Sequence, residues 1–252
     1  MKSFFNFKKS LMAVVAILVF SISATSVFAY WDVKEDSPYF DAITYLTAQG
    51  IVSGHDDGGF HPWSNVNRAE FIKIVIGANF PESEFGKYKD EQCFPDVTPG
   101  YWYTAYACFA KAKGIVNGYE DGTFGGGLSI NFAEASKMIV NAFGIETLPK
   151  QVWYEGYVEA LESRNAVPVA LTTFDSYVGR EIMAEITYRL HAKVTTKPST
   201  QALCKMKGEN LGPWSPYNNS YCCDGLEPFL EKSNIDDNIG AAPVCVAKSF
   251  VQ

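Results

Sequence analysis

The chain has 252 residues, 47% of them hydrophobic and 19% charged, and a formal net charge of −7. That balance fits one large globular domain or two smaller ones. It speaks against nucleic-acid binding, because no lysine- or arginine-rich stripe is present to neutralise phosphates.

The first 29 residues read as a secretory leader. Lys2, Lys8 and Lys9 form a positive start, an apolar run follows from Leu11 to Ile22, and Val27-Phe28-Ala29 places small residues for cleavage after Ala29. The apolar run is shorter than the roughly 20 residues that span a bilayer, which argues against a permanent anchor. A secreted chain with six cysteines is expected to use them as disulfides.

An internal duplication organises the chain beyond the leader. GIVSGHDDGGFHPWSNVNRAE, from Gly50 to Glu70, recurs as GIVNGYEDGTFGGGLSINFAE, from Gly114 to Glu134. The offset of 64 holds without a gap from Asp32/Asp96 to Ala78/Ala142, and repeats of this kind define architecture. Each unit predicts helix, loop, helix. Ala42, Ile43 and Leu46 recur at helical spacing and stop at Gly50, which supplies a left-handed helix end. Asp57-Gly58 and Asp121-Gly122 are turns, with Phe60 and Phe124 placed to plug each loop into the core. Asn67 followed by Glu70 has capping-box spacing for a second helix whose buried face carries Phe71, Ile74 and Val75.

The pattern W-D-V, A-I-x-x-L, G-I-V-x-G, D-G-x-F-x-P and N-R-A-E resembles the S-layer homology (SLH) repeat, whose last tetrapeptide is usually Thr-Arg-Ala-Glu. The resemblance covers Tyr30 to about Ala78 and Phe94 to about Gly144. It implies a mainly α fold of three helix–loop–helix units in a pseudo-threefold body, with ligand grooves between neighbours. It also implies a non-catalytic surface anchor for acidic, often pyruvylated, cell-wall polysaccharide.

On this reading the ligand-binding residues are Arg68, Gly54 and Asp32 of repeat one, Trp102 and Gly118 of repeat two, and Arg180 further on. A guanidinium in the first turn of a helix suits a carboxylate or ketal-linked pyruvate. Gly54 lacks a side chain and would let a sugar approach the backbone. Taken alone, Arg68 reads better as a surface arginine of little energetic weight, and it is the resemblance that reverses this. Repeat two has Phe132 in the arginine place and Gly126 for Pro62, so its groove is expected to lack a cation. Cys93 and Cys108 bracket its entrance, and a bond between them would close a 15-residue loop worth about 3 kcal/mol.

A third, degenerate copy comes next. Tyr154 to Val167 aligns with Tyr103 to Val116 at an offset of 51, and Arg180 lies 48 beyond Phe132, so the loop is shorter by three. Arg180 fills the arginine place, with Glu181 and Ile182 where Ala and Glu are expected. The units are assigned to 30–92, 93–150 and 151–193, a linker to 194–203 and a cysteine-rich tail to 204–252.

The tail is predicted to be small, irregular and stapled by two disulfides among Cys204, Cys222, Cys223 and Cys245, with three pairings open. It holds no Cys-x-x-Cys and no histidine for zinc, and the alternation Asn234, Asp236, Asn238 lacks the closing glutamate of a calcium loop. Asn218-Asn219-Ser220 is a glycosylation acceptor sequence.

No metal, cofactor or catalytic function is expected. His55 and His61 lie on a repeat loop, and no serine elbow, phosphate loop or His-Glu-x-x-His occurs in the chain. A secreted wall-binding protein is the leading expectation. The alternatives are a self-assembling structural surface protein whose tail binds a protein partner and, third, a glycan hydrolase working through paired carboxylates.

Overall fold

The computed structural model describes residues 30–200 apart from 151 and 172, together with the backbone of 226–229 and 244–247. The leader, the glycosylation acceptor, the alternating Asn/Asp stretch and the cysteine pairing of the tail lie outside the described residues. Seven helices follow one another in the body: α1 Phe40–Ala48, α2 Arg68–Asn79, α3 Glu82–Phe85, α4 Thr104–Ala112, α5 Phe132–Ala142, α6 Glu155–Glu162 and α7 Arg180–His191. The described part of the tail is an antiparallel pair, β1 Leu226–Phe229 and β2 Val244–Ala247, with Leu226 opposite Ala247. Cys245 lies on β2, where the valines on either side of it favour extended backbone.

The long helices α2, α5 and α7 start where their sequences say they should. Asn67 accepts from the Glu70 N–H at 2.8 Å while Glu70 accepts from the Asn67 N–H at 3.0 Å. Asn131 and Glu134 repeat that box at 2.9 and 3.3 Å. The third helix begins at Gly179 without a side-chain cap. The short helices α1, α4 and α6 end alike, through left-handed residues at Gly50, Gly114 and, in the degenerate unit, Asn165. Asparagine is the residue that best stands in for glycine in that conformation, so Asn165 marks the third unit in the sequence.

A closed ring of backbone hydrogen bonds ties the three units together. Val66 N–H donates to Val178 O (2.9 Å), Val178 N–H to Ile130 O (3.0 Å), and Ile130 N–H to Val66 O (3.1 Å). All three side chains are fully buried, so the pseudo-threefold axis runs through apolar core, where an unpaired N–H would be costly. The expected mainly helical, pseudo-threefold body is thereby observed.

Packing does not follow the repeat boundaries. The first helix of each unit lies against the second helix of the unit before it: α4 on α2, α6 on α5, and α1 on α7. The last pair joins the two ends of the body, where Tyr45 bonds His191 Nδ1 at 2.9 Å and packs its ring against Tyr188 at a tilt of 55°.

Residues 80–92 account for the change of offset from 64 to 51. They form α3 and a 3-10 turn, Gly86–Tyr88, which cover α4 by packing Phe80, Phe85 and Tyr88 around the ring of Phe109. The expected disulfide Cys93–Cys108 holds the end of this insertion to α4, with a Cα–Cα separation of 5.3 Å.

Candidate functional site

The two arginines do not serve their own repeats. Arg68, first residue of α2, donates from its backbone N–H to Leu128 O (2.9 Å) and from Nε to Phe124 O (2.9 Å), both in repeat two. Arg180 donates likewise into repeat one, from the backbone to Ser64 O (3.0 Å), from Nε to Phe60 O (2.7 Å) and from Nη2 to Ser53 O (3.0 Å). The cause is the central ring, because the extended segment before each long helix pairs with a neighbouring unit and delivers the next residue there.

This corrects the expectation that repeat two lacks a cation. Phe132 is fully buried and hands its backbone N–H to Ser176 O of repeat three, so the missing arginine is missing from the third groove. Nor are these surface arginines: Arg68 and Arg180 are only 6% and 8% exposed.

Two equivalent grooves result, and each draws on all three units. Groove A, of about 330 Å³, has the Gly50–His55 edge and Glu70, Lys73 and Ile74 from repeat one, Trp102 from repeat two and Arg180 from repeat three. Groove B, of about 360 Å³, has the Ile115–Glu120 edge and Glu134, Lys137 and Met138 from repeat two, Trp153 from repeat three and Arg68 from repeat one.

In both, an ammonium stands over a half-exposed indole, Lys73 over Trp102 at 5.7 Å and Lys137 over Trp153 at 5.6 Å. Buried guanidinium, ammonium, carboxylate and flat aromatic face together suit a sugar that carries an acidic group. Burial holds the Arg180 pKa below its usual value, against the opposing pull of Glu70, Tyr30 and Asp32. In groove B, burial also pushes the Tyr119 hydroxyl up to about 12.

Of the residues expected to bind ligand, Arg180, Gly54 and Trp102 come together in groove A, and Arg68 and Gly118 in groove B. The two glycines have an internal reason for being there. A Cβ on Gly54 would come within 2.8 Å of Gly59 O and would also strike the Tyr30 ring. One on Gly118 would meet Thr123 O at 2.7 Å and the Phe94 ring, at a φ of +83°.

Asp32 lines neither groove. Its carboxylate grips the backbone N–H groups of Phe60 and His61 at 2.8 and 2.7 Å, as Asp96 grips Phe124 and Gly125, so it shapes the loop that the arginine reads. Sequence reading passed over Lys73, Lys137, Glu70, Glu134 and Trp153. The signal was available, since the lysines and glutamates recur at the offset of 64 and Trp102/Trp153 at 51.

The third equivalent place is filled by the chain itself. Pro38 stands where the tryptophans do, Phe132 replaces the arginine and Glu185 replaces the lysine. Lys197 reaches in to bond Pro38 O (2.9 Å) and Glu185 Oε1 (2.9 Å), and Arg189 Nε meets the same oxygen at 2.8 Å. Thr200 N–H donates to Val167 O (2.9 Å), along the edge that is open in the other two grooves. Residues 194–200, expected as a linker, are therefore a docked strap. Their polar side chains and backbone find partners on repeat three that composition does not disclose.

The family model of the S-layer homology domain matches residues 29–72 and 94–136, the stretches that build the first two units. The chain carries two S-layer homology units.

Among the relatives this chain resembles, a surface layer protein of Brevibacillus choshinensis is 25% identical over 209 residues, 77% of this chain and 19% of the relative. A cell surface protein of Thermoanaerobacter kivui is 29% identical over 184 residues, 71% of this chain and 24% of the relative. A cellulosome-anchoring protein of Acetivibrio thermocellus is 29% identical over 119 residues, 47% of this chain and 27% of the relative. The chain thus spans about a fifth to a quarter of the length of these proteins. The shared domain and the relatives' surface location make it a cell-surface protein. Among the described residues no helix is long and apolar enough to cross a membrane.

Proposed function

We propose that this SLH body is a non-catalytic anchor that holds an acidic, pyruvylated cell-wall polysaccharide in grooves A and B. Three SLH units, the third degenerate, build it from 30–92, 93–150 and 151–193. The observation that carries the reading is the recurrence of one constellation in two places: a buried arginine, a lysine over an exposed tryptophan, and a glutamate. Sugar faces stack on Trp102 and Trp153, and the cations meet the glycan's carboxylate. The relatives named for surface layers and cellulosome anchoring fit such attachment.

The test is co-sedimentation of the mature chain with purified wall polysaccharide, before and after removal of pyruvyl groups. Trp102→Ala/Trp153→Ala is the informative variant, since both rings are about half exposed and their loss spares the core. Binding should fall at least about tenfold, as stacking contacts are worth roughly 1 kcal/mol or more each. Undiminished binding by the folded double variant sinks the proposal.

A second reading, favoured by the relative called a surface layer protein, is self-assembly with residues 204–252 contacting a protein partner. It predicts that removing 204–252 changes the assembly state on size exclusion.

A further inference from the structure

We propose that the two open grooves divide the glycan between them, groove A taking the carboxylate-bearing residue and groove B a neutral sugar. The inference rests on the proposed function, in which both grooves hold wall glycan.

The grooves share their cations and differ at Ser53/Asn117, Ile74/Met138 and His55/Tyr119, of which Tyr119 is the one that touches the groove's arginine and glutamate. In groove B the Tyr119 hydroxyl donates to Glu134 Oε1 at 2.9 Å, and that oxygen lies 3.5 Å from Arg68 Nη1. The Tyr119 ring also covers the guanidinium at 4.6 Å. Arg68 is therefore already met by a carboxylate and roofed by an aromatic ring, within the space an incoming anion would need. To reach it, the anion must displace Glu134 and break the tyrosine bond.

In groove A, the His55 ring packs edge-on against that of His61, 4.7 Å between centroids. Glu70 makes its helix cap, with Oε2 on the Asn67 N–H, and no ion pair joins it to Arg180 among the described residues. Arg180 spends Nε and Nη2 on two carbonyls, which orient its charge without cancelling it, and Nη1 has no acceptor among the described residues. Each groove sets an arginine and a lysine against the glutamate of its long helix, Arg180 and Lys73 against Glu70, and Arg68 and Lys137 against Glu134, but among the described residues only Glu134 pairs with its arginine. An anion is attracted to groove A, whereas in groove B Glu134 and Asn117 offer partners for hydroxyls beside the Trp153 face.

The test is backbone-amide NMR of the mature chain titrated with two probes, a methyl hexoside bearing a pyruvyl ketal and the same hexoside without it. The acidic probe should move the Gly54 and His55 amides at concentrations at least about tenfold lower than those of Gly118 and Tyr119. The neutral probe should favour the second pair. Glu134→Gln keeps an oxygen for the helix cap but removes the charge facing Arg68, and should tighten the acidic probe in groove B about tenfold. Tyr119→Phe, which keeps the ring and frees Glu134 of one bond, checks that result without touching the cap. Equal affinity of the acidic probe for both wild-type grooves, or no gain from Glu134→Gln, overturns the division while leaving glycan binding intact. Silence of all four amides with both probes overturns the division and the proposed function together.

Discussion

Arg68 Nε donates to the carbonyl of Phe124 at 2.9 Å, across a repeat boundary and 56 residues along the chain. Arg180 and Phe60 stand in the same relation at 2.7 Å, 120 residues apart and in the opposite direction along the chain. The arginine of each SLH tetrapeptide is thus both a tie between units and the floor of a groove. Mutating it tests two things at once.

Stability is the first of these. Each arginine is buried and makes charge-assisted hydrogen bonds to a neighbour's loop, so Arg68→Ala and Arg180→Ala should each cost about 2–3 kcal/mol. Lys73→Ala should change stability by no more than about 0.5 kcal/mol. Urea denaturation of the mature chain reads this directly. An unchanged midpoint for Arg68→Ala would mean that the tie carries no weight, and loss of glycan binding by that variant could then be assigned to the groove.

The strap makes a separate demand on stability. Glu185 is 1% exposed and shares its carboxylate between Arg189 and Lys197. Arg189→Ala strips away the buried partner and should cost about 3–5 kcal/mol. Lys197→Ala leaves that pair in place and should cost about 1 kcal/mol. Limited proteolysis supplies the local readout, with cleavage within 194–200 appearing in Lys197→Ala under conditions that leave the wild type whole. Equal resistance in the two proteins would show that Lys197 does not hold the strap.

Glu181 predicts a pH dependence. It stands where repeats one and two have alanine, is 7% exposed, and its Oε2 has no hydrogen-bond partner among the described residues. Burial pushes its carboxyl from 4.5 up to about 7. With the folded value above the unfolded one, the native state keeps a proton that the unfolded chain releases. Its contribution to stability is therefore fully present below about pH 4.5 and is lost as pH rises through about 7. Glu181→Gln should leave the melting temperature unchanged near pH 4 and raise it by about 3 °C or more at pH 8. Parallel melting curves for the two proteins across that range would reject the assignment.

Much of the fold was legible because its signals are local. Capping boxes at Asn67 and Asn131, left-handed glycines at Gly50 and Gly114, and apolar spacing in the helices each depend on a few adjacent residues. The third unit was harder to read, because Asn165 replaces the glycine and Gly179 removes the cap, yet its offsets of 51 and 48 still placed Tyr154 and Arg180 at the equivalent helix starts. The candidate site was half legible. Arg68, Arg180, Gly54, Gly118 and Trp102 do line grooves, whereas Asp32, equally regular in the repeat, is turned inward to hold a loop.

By itself the sequence determined the first two units, their helix ends and the Cys93–Cys108 tie. Only the tertiary structure decided which residues share a groove. The ring through Val66, Ile130 and Val178 joins segments 48 to 112 residues apart, and it hands each arginine to a neighbouring unit. A repeat read along the chain assigns Arg68 to the loop beside it, whereas in space it belongs to the loop of the next unit. The absence at Phe132 was visible from the start. That it empties the third groove, where Lys197 and Glu185 now meet, is decided by the direction in which the ring closes.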